Sequence, residues 1–144
     1  MAPKAGTAGR RTAGRRTAAQ RSGDAAEAAA AARLVASGWQ VLGRQVRAGR
    51  AELDLVAVDP GPPAALVIVE VRWRGSRAFG LAEETVDGRK IGRLRAGLAR
   101  LLAAGMLPDG RPVPRLAARI DLVAVEPPVV PGGPPRLRHH RAIG

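Results

Sequence analysis

The sequence predicts an α/β domain in which a mixed β-sheet is flanked by helices, with the element order α-β-β-β-α-β-β. Two segments have the composition and apolar spacing of helices, and five shorter segments have the apolar runs of strands. One of these strands, residues 65–73, is apolar on both faces up to Glu70, which indicates a central position in the sheet. The chain of 144 residues is long enough for one such domain with its own hydrophobic core.

The N-terminal segment, residues 1–22, is predicted to be a disordered basic arm that precedes a folded domain over residues 23–144. The arm contains Lys4 and several arginines but no acidic residue, and it has no apolar periodicity. We expect it to contact phosphate groups without regard to base sequence.

The first helix is predicted over residues 24–37, where an alanine-rich run favours helix and Gly38 ends it. Glu27 shares a helical face with Leu34 and Val35, and this is the face that must pack against the sheet. We therefore expect the Glu27 side chain to point towards the core. The alternative is a solvated charge in the first turn.

Three strands follow the first helix, over residues 39–46, 51–58 and 65–73. In the second strand, alternation predicts Glu52 and Asp54 on the same face as Val56. The proline- and glycine-rich segment 59–63 predicts a tight turn between the second strand and the third. These two strands are therefore expected to form a hairpin.

Folding this hairpin about Pro62 places Asp54 opposite Glu70 and Glu52 opposite Arg72. Two carboxylates in such positions repel each other unless a cation lies between them, so Asp54 and Glu70 predict a metal-dependent site. Glu52 and Arg72 are expected to form a cross-strand ion pair. Arg72 shares a face with Glu70, where its guanidinium could bind a phosphate, but it cannot act as a general base.

The second helix is predicted over residues 88–104, with Asp87 as its N-cap and Gly105 at its end. Leucines form its apolar face, and basic residues cover much of the remaining surface. The helix is therefore expected to pack one face on the sheet and to present a basic face to solvent.

Two further strands, over residues 118–125 and 137–143, complete the predicted sheet. Asp121 lies between Ile120 and Leu122, and we expect it to accept hydrogen bonds inside the fold rather than to bind a metal.

The formal net charge of +12 favours a polyanionic partner, meaning DNA, RNA or an anionic membrane surface, and we expect nucleic acid among these. An uninformative charge, arising from a basic tail and a general preference for arginine, is the alternative. The side chains that we expect to contact nucleic acid are Arg72, Arg74, Arg89, Lys90 and Arg93. No apolar run approaches the ~20 residues that cross a bilayer, so we expect no membrane association and a cytoplasmic location. A dimer is compatible with the sequence, but no feature requires one.

The available ligands favour a hard cation. There is no cysteine, and the two histidines, His139 and His140, are adjacent near the C-terminus, so a zinc site built on these residue types is disfavoured. Carboxylate oxygens suit Mg²⁺ or Mn²⁺. We therefore expect either of these ions at Asp54 and Glu70.

The order of these residues resembles the PD-(D/E)xK nuclease superfamily, with Asp54, Glu70 and Arg72 at the motif positions. A closer resemblance is to the YraN-like family of small bacterial nuclease-like proteins, and it spans about residues 23–143. Its signature stretches correspond to residues 49–57, 67–72 and 118–125, and further matches are Glu27, Phe79, Gly80, Val86, Lys90 and residues 138–143.

The resemblance implies a restriction-endonuclease-like fold and a metal held by Asp54 and Glu70, with Glu27 as a further acid. Arg72 stands where the family pattern has lysine. Three hypotheses therefore remain. The first is a metal-dependent nuclease acting on DNA or RNA, and the second is a non-catalytic nucleic-acid-binding protein with a degenerate site. A regulatory or scaffold protein with a relic site is the third.

Overall fold

The computed structural model describes residues 17–75 and 86–144, and it contains the predicted order of helices and strands. The elements are α1 (Ala18–Ala36), β1 (Gln40–Ala48), β2 (Ala51–Asp59), β3 (Ala65–Trp73), α2 (Gly88–Ala104), β4 (Ala117–Glu126) and β5 (Arg136–His140). The predicted α/β class and the order α-β-β-β-α-β-β are therefore confirmed.

The five strands form one mixed sheet in the order β1-β2-β3-β4-β5. β3 pairs with β4 in parallel, and every other neighbouring pair is antiparallel. β3 occupies the centre of the sheet, as its apolar sequence predicted, and α2 lies in the crossover between β3 and β4. Within the two described ranges, neither helix combines the length and hydrophobicity needed to cross a membrane.

The two helices cover opposite faces of the sheet, and each face has its own hydrophobic core. Leu94 and Leu101 of α2 pack in one core with Leu53, Val56 and Ile68. The other core contains residues of α1 and the alternate positions of the strands: Ala26, Ala30, Leu34, Leu55, Ala57, Val67 and Val69. Glu70 thus lies in a strand that is covered on both sides.

The first helix begins at Ala18, earlier than predicted and inside the segment that was expected to be a disordered arm. Thr17 is its N-cap, and Thr17 and Gln20 form a reciprocal capping box that satisfies two backbone N–H groups. Residues 1–16, the rest of the predicted arm, lie outside the described residues. Glu27 is buried, as expected, whereas Val35 is 57% exposed and does not share its environment.

The second helix has the predicted bounds and caps. The Asp87 side chain accepts a hydrogen bond from the Lys90 amide at 3.0 Å, and Gly105 ends the helix in the left-handed conformation. The last strand is shorter than predicted and ends at His140. It ends because the Ala142 amide donates to the Asp121 side chain instead of continuing the backbone ladder.

The predicted register of the β2–β3 hairpin is confirmed from the Asp59–Ala65 pair to the Leu55–Val69 pair. The ladder stops there, so Asp54 and Glu70 are not paired through their backbones. The predicted alternation of β2 is wrong at this point, because Leu53 packs in the α2-side core and Leu55 packs in the α1-side core. β2 changes the face that it presents around Asp54.

Candidate metal centre

The Asp54 side chain lies where β2 and β3 separate. Its Oδ2 atom accepts a hydrogen bond from the Val71 amide at 2.9 Å, one residue beyond the end of the hairpin ladder. A side-chain oxygen thus takes a backbone N–H that a continuing ladder would have paired. The separation of the strands opens the space in which the Asp54 carboxylate sits.

The carboxylates of Asp54 and Glu70 converge, and we call them the acid pair. Burial, and then the charge of Glu70, raise the pKa of Asp54 to about 7, against the opposing effects of the Val71 amide and Lys90. A side-chain hydrogen bond between the two carboxyl groups contributes to the same shift. Two acids are therefore held close enough to share a proton or a cation.

Glu70 is 3% exposed and has basic partners on one of its two oxygens only. Its Oε2 atom lies 3.2 Å from Nη2 of Arg72 and 3.3 Å from Nζ of Lys90. Its Oε1 atom is buried and has no hydrogen-bond partner among residues 17–75 and 86–144. A buried carboxylate oxygen without a partner is costly, so this atom is a candidate ligand position.

Arg72 pairs with Glu70 on its own strand, so the predicted ion pair between Glu52 and Arg72 is wrong. The pairing fails because the ladder ends before these positions meet. Lys90 was expected to contact nucleic acid, and the structure places its amine against Glu70. The α2 helix thus brings a lysine to the acid pair beside the arginine that stands in the family's lysine position.

Glu27 lies near Asp54 but has its own partners. Its carboxylate accepts hydrogen bonds from Gln45 Nε2 and, at 3.3 Å, from Arg44 Nε. Burial raises the pKa of Glu27, those two hydrogen bonds oppose the shift, and the charge of Asp54 adds to it. Glu27, Gln45 and Asp54 line a cleft of about 350 Å³ between α1 and the sheet.

Gln45 holds Glu27 from an unusual backbone conformation. Its φ of 52° lies in the left-handed region, which is uncommon for a residue other than glycine in a strand. No feature of the sequence indicates this conformation or the partnership of Gln45 with Glu27. It could be found only from the fold, which sets β1 against α1.

The structure describes three further residues that were predicted to contact nucleic acid: Arg74, Arg89 and Arg93. The Arg74 amide donates to the Val125 carbonyl at 2.9 Å, and the buried Nε atom of Arg74 has no hydrogen-bond partner within the described ranges. Arg89 and Arg93 are exposed on α2. Phe79 and Gly80, which belong to the family resemblance, lie outside the described residues.

The acid pair suits an ion such as Mg²⁺, which keeps several water ligands, better than an ion whose ligands all come from the protein. In the described part of the chain, no group of three or more His, Cys, Asp or Glu side chains is arranged to hold a metal. Within the described ranges, Glu27 does not form a three-acid cluster with Asp54 and Glu70. Mg²⁺ is commonly bound through one or two carboxylates, with waters completing its shell. Two converging carboxylates with a free buried oxygen match that need.

A second group of charges at β4 and β5 is structural. Asp121 is fully buried and accepts hydrogen bonds from Arg119, from His139 at 2.8 Å and from the Ala142 amide at 3.0 Å. Arg119 also reaches Asp59 at 2.7 Å. Burial alone would raise the pKa of Asp121, but the hydrogen bonds from His139 and Arg119 lower it. Its expected role as a hydrogen-bond acceptor is confirmed.

Comparison with known proteins shows that the chain matches a protein family whose description states no activity. The model of the uncharacterised protein family UPF0102 matches residues 26–125, a range that contains Glu27, Asp54, Glu70 and Lys90. A UPF0102 protein of Moorella thermoacetica is 43% identical over 99 residues, covering 69% of this chain and 75% of that protein. UPF0102 protein STH1475 of Symbiobacterium thermophilum is 42% identical over 104 residues, covering 72% and 80% respectively. UPF0102 protein FRAAL5785 of Frankia alni is 40% identical over 115 residues, covering 80% and 87%.

Proposed function

The chain belongs to the uncharacterised protein family UPF0102, which is the YraN family, and from its site we propose a metal-dependent nuclease that hydrolyses phosphodiester bonds in DNA or RNA. The family resemblance expected from the sequence is confirmed, and its relatives named above are bacterial. Their names do not state what they act on, so the proposal is supported by the geometry of the acid pair.

The observation that carries the proposal is the convergence of Asp54 and Glu70 in a largely buried position. Burial, and then the charge of Glu70, raise the pKa of Asp54 to about 7. Among the described residues, one buried oxygen of Glu70 has no hydrogen-bond partner. A divalent cation would stabilise a fold that holds these two carboxylates close together, because the cation offsets both negative charges. Mg²⁺ or Mn²⁺ is the proposed cofactor.

The neighbouring basic side chains suit a phosphate substrate. A bound Mg²⁺ or Mn²⁺ would polarise a phosphoryl oxygen and lower the pKa of its bound water. Lys90 and Arg72 both contact the Glu70 carboxylate. From there, their positive charges would stabilise the negative charge that develops on the phosphoryl group. Arg72 offers a planar guanidinium that matches two phosphate oxygens, and Lys90 offers a compact charge.

The proposal is tested by incubating the full chain with single-stranded, duplex and branched nucleic acids in Mg²⁺ or Mn²⁺. We expect cleavage that EDTA stops and that Glu70→Gln lowers by about 10²-fold or more, since removing one group that stabilises transition-state charge has effects of this size. Asp109→Asn is the matched control, because Asp109 is an exposed acid that pairs with Arg111. Cleavage that is equal in Glu70→Gln and Asp109→Asn would show that the activity lies elsewhere.

Two further variants test the role of Lys90. If α2 supplies the lysine of the site, Lys90→Ala should lower cleavage strongly, whereas Arg72→Lys should leave most of it. A large gain in cleavage by Arg72→Lys, with no effect of Lys90→Ala, would instead indicate a site weakened by its arginine. The metal affinity of each variant should be measured as well. A variant that cleaves less but binds metal normally has lost a phosphate contact rather than the cation.

A non-catalytic nucleic-acid-binding protein is the second candidate, and one observation favours it. Glu70 already has two cationic partners, Arg72 and Lys90, so part of the charge of the acid pair is offset without a metal. This candidate predicts binding that weakens steeply with salt and does not depend on divalent ions. Either function involves nucleic acid, for which we propose a cytoplasmic location.

A further inference from the structure

Three arginines line a cleft between α2 and the β1–β2 turn, away from the acid pair. Arg50 lies in the turn, and Arg93 and Arg100 lie on α2. The cleft, which we call the arginine cleft, has a volume of about 200 Å³. The rest of its lining consists of small residues: Ala48, Ala51, Ala96 and Gly97. A cleft of this composition presents positive charge over a shallow apolar floor.

The described lining of the arginine cleft contains no carboxylate. In residues 17–75 and 86–144, no acidic side chain forms an ion pair with Arg50, Arg93 or Arg100. The pKa of Asp87 is lowered first by the Lys90 amide and further by the charges of Arg89 and Arg93, so Arg93 acts on this acid only through its field. Among the described residues, three like charges are thus gathered without a counter-ion, which favours binding of an anion.

Two glycines create the cleft. Gly49 has a φ of +63°, and a Cβ placed there would lie 3.1 Å from Cζ of Arg100, so the bare turn lets the Arg100 side chain cross it. At Gly97, a Cβ would lie 2.9 Å from Cβ of Ala51, so its absence lets α2 approach β2 closely. The close approach brings the arginines of α2 beside Arg50.

The spacing along α2 joins the arginine cleft to the acid pair. Residues 89, 93 and 100 differ by four and seven positions, so Arg89, Arg93 and Arg100 project from one side of the helix. Lys90, at the start of the helix, contacts Glu70. The rise of 1.5 Å per residue separates Lys90 from Arg100 by about 15 Å along the helix axis. In a B-form strand, that length corresponds to about four nucleotides at 3.4 Å each.

We propose that the arginine cleft binds a backbone phosphate of nucleic acid, with the strand running along α2 from the acid pair. The proposal rests on the proposed function, because the phosphate at the acid pair fixes one end of the strand. The ligand is a phosphodiester backbone rather than a base, since the described lining of the cleft offers guanidinium groups and small residues but no aromatic side chain. Arg50 and Arg100 are the residues that the cleft adds to the expected contacts.

The test compares two double variants that remove the same charge. Arg50→Ala with Arg100→Ala removes two side chains of the arginine cleft, and Arg33→Ala with Arg115→Ala removes two exposed arginines elsewhere. Binding of the full chain to labelled single-stranded and duplex oligonucleotides is measured by fluorescence anisotropy in EDTA, across a series of NaCl concentrations. Thermal unfolding of each variant checks that the fold is retained.

We expect the first double variant to weaken binding and to reduce the slope of log K against log salt by about 1 to 2, as for one or two lost phosphate contacts. The second double variant should leave the slope unchanged. Equal effects of the two double variants would overturn the proposal, because net charge alone would then explain binding. Unchanged binding by the first variant, or no binding by the unmodified chain, would also overturn it.

A cross-linking experiment locates the strand without removing any arginine. The chain contains no cysteine, so Ala96→Cys places a single photoreactive label in the arginine cleft, and Ala32→Cys places one on the exposed side of α1. Cross-linking from position 96 but not from position 32 is expected, and the reverse or equal yields would contradict the proposal. Both experiments are done in EDTA, where no metal-dependent cleavage occurs. They therefore test nucleic-acid binding at the arginine cleft independently of nuclease activity. A chain that binds through the cleft but never cleaves would overturn only the nuclease function.

Discussion

Asp54→Asn should change how the stability of the protein depends on pH. Burial and Glu70 raise the pKa of Asp54 from 3.8 to about 7 in the folded protein, so folding favours its protonated form. A carboxyl whose pKa is raised in this way lowers stability as pH rises from about 4 to about 7. Asparagine resembles the protonated acid: its oxygen can accept the Val71 N–H, and its NH₂ can donate to Glu70.

The shift in the pKa of Asp54 sets the size of this effect. A change from 3.8 to about 7 corresponds to about 4 kcal/mol. Asp54 keeps some exposure and shares its interaction with Glu70, so we expect about 2–4 kcal/mol. Asp54→Asn should therefore match the wild type near pH 4 and exceed its free energy of unfolding by this amount near pH 8.

Urea unfolding in EDTA from pH 4 to pH 8, followed by tryptophan fluorescence, measures the difference. Trp39 is 6% exposed in the folded protein and is a suitable reporter. The control is Asp109→Asn, because hydrogen bonds with Arg111 lower the pKa of Asp109. The contribution of Asp109 to stability therefore changes with pH only below about pH 4 and stays constant between pH 4 and pH 8. A stability difference between Asp54→Asn and the wild type that is the same at pH 4 and pH 8 would refute the account of a repulsive acid pair.

Two other predictions concern the fold. Gly97→Ala should destabilise the protein by about 1–3 kcal/mol because its Cβ would press on Ala51, whereas Gly92→Ala, with open space around it, should be neutral or stabilise by up to about 1 kcal/mol; equal urea midpoints for the two would contradict this packing. Asp121→Asn should lose about 3 kcal/mol at pH 7 by breaking a buried ion pair with Arg119. Its folded pKa is lowered, so this loss should shrink as pH falls below about 4, and a loss that grows in acid would show that the Asp121 network is not stabilising.

The sheet was predictable because its signals are local. The apolar run of β3 identified the central strand, and the turn at 59–63 fixed the hairpin register that the structure contains. Asp87 and Gly105 marked both ends of α2 correctly. In each case, a short stretch of sequence determines the backbone through its own hydrogen bonds, its turn residues or its apolar period.

The start of α1 was missed although the sequence contained its signal. Thr17 and Gln20 have the spacing of a capping box, but the basic composition around them indicated an arm. The end of the β2–β3 ladder carried no such signal. It depends on the Asp54 side chain accepting the Val71 N–H, which apolar alternation does not encode.

The two residues of the acid pair could be predicted from the sequence, but the residues that contact them could not. Hairpin register indicated that Asp54 and Glu70 would meet. The contact of Lys90 with Glu70 depends on how the crossover helix packs, and the hold of Gln45 on Glu27 depends on a left-handed residue inside a strand. Both are long-range features, so a single sequence does not specify them in any readable pattern.

Binding of Mn²⁺ to the full chain, followed by the electron paramagnetic resonance signal of the free ion, tests the acid pair most directly. At pH 8, where Asp54 is ionised, the account predicts one site in the wild type and in Asp109→Asn, and loss of that site in Asp54→Asn and Glu70→Gln. Binding should weaken at pH 6, because a proton then competes for Asp54. Equal binding by Asp54→Asn, Glu70→Gln and the wild type, or no binding by the wild type, would contradict the claim that the acid pair holds a divalent cation.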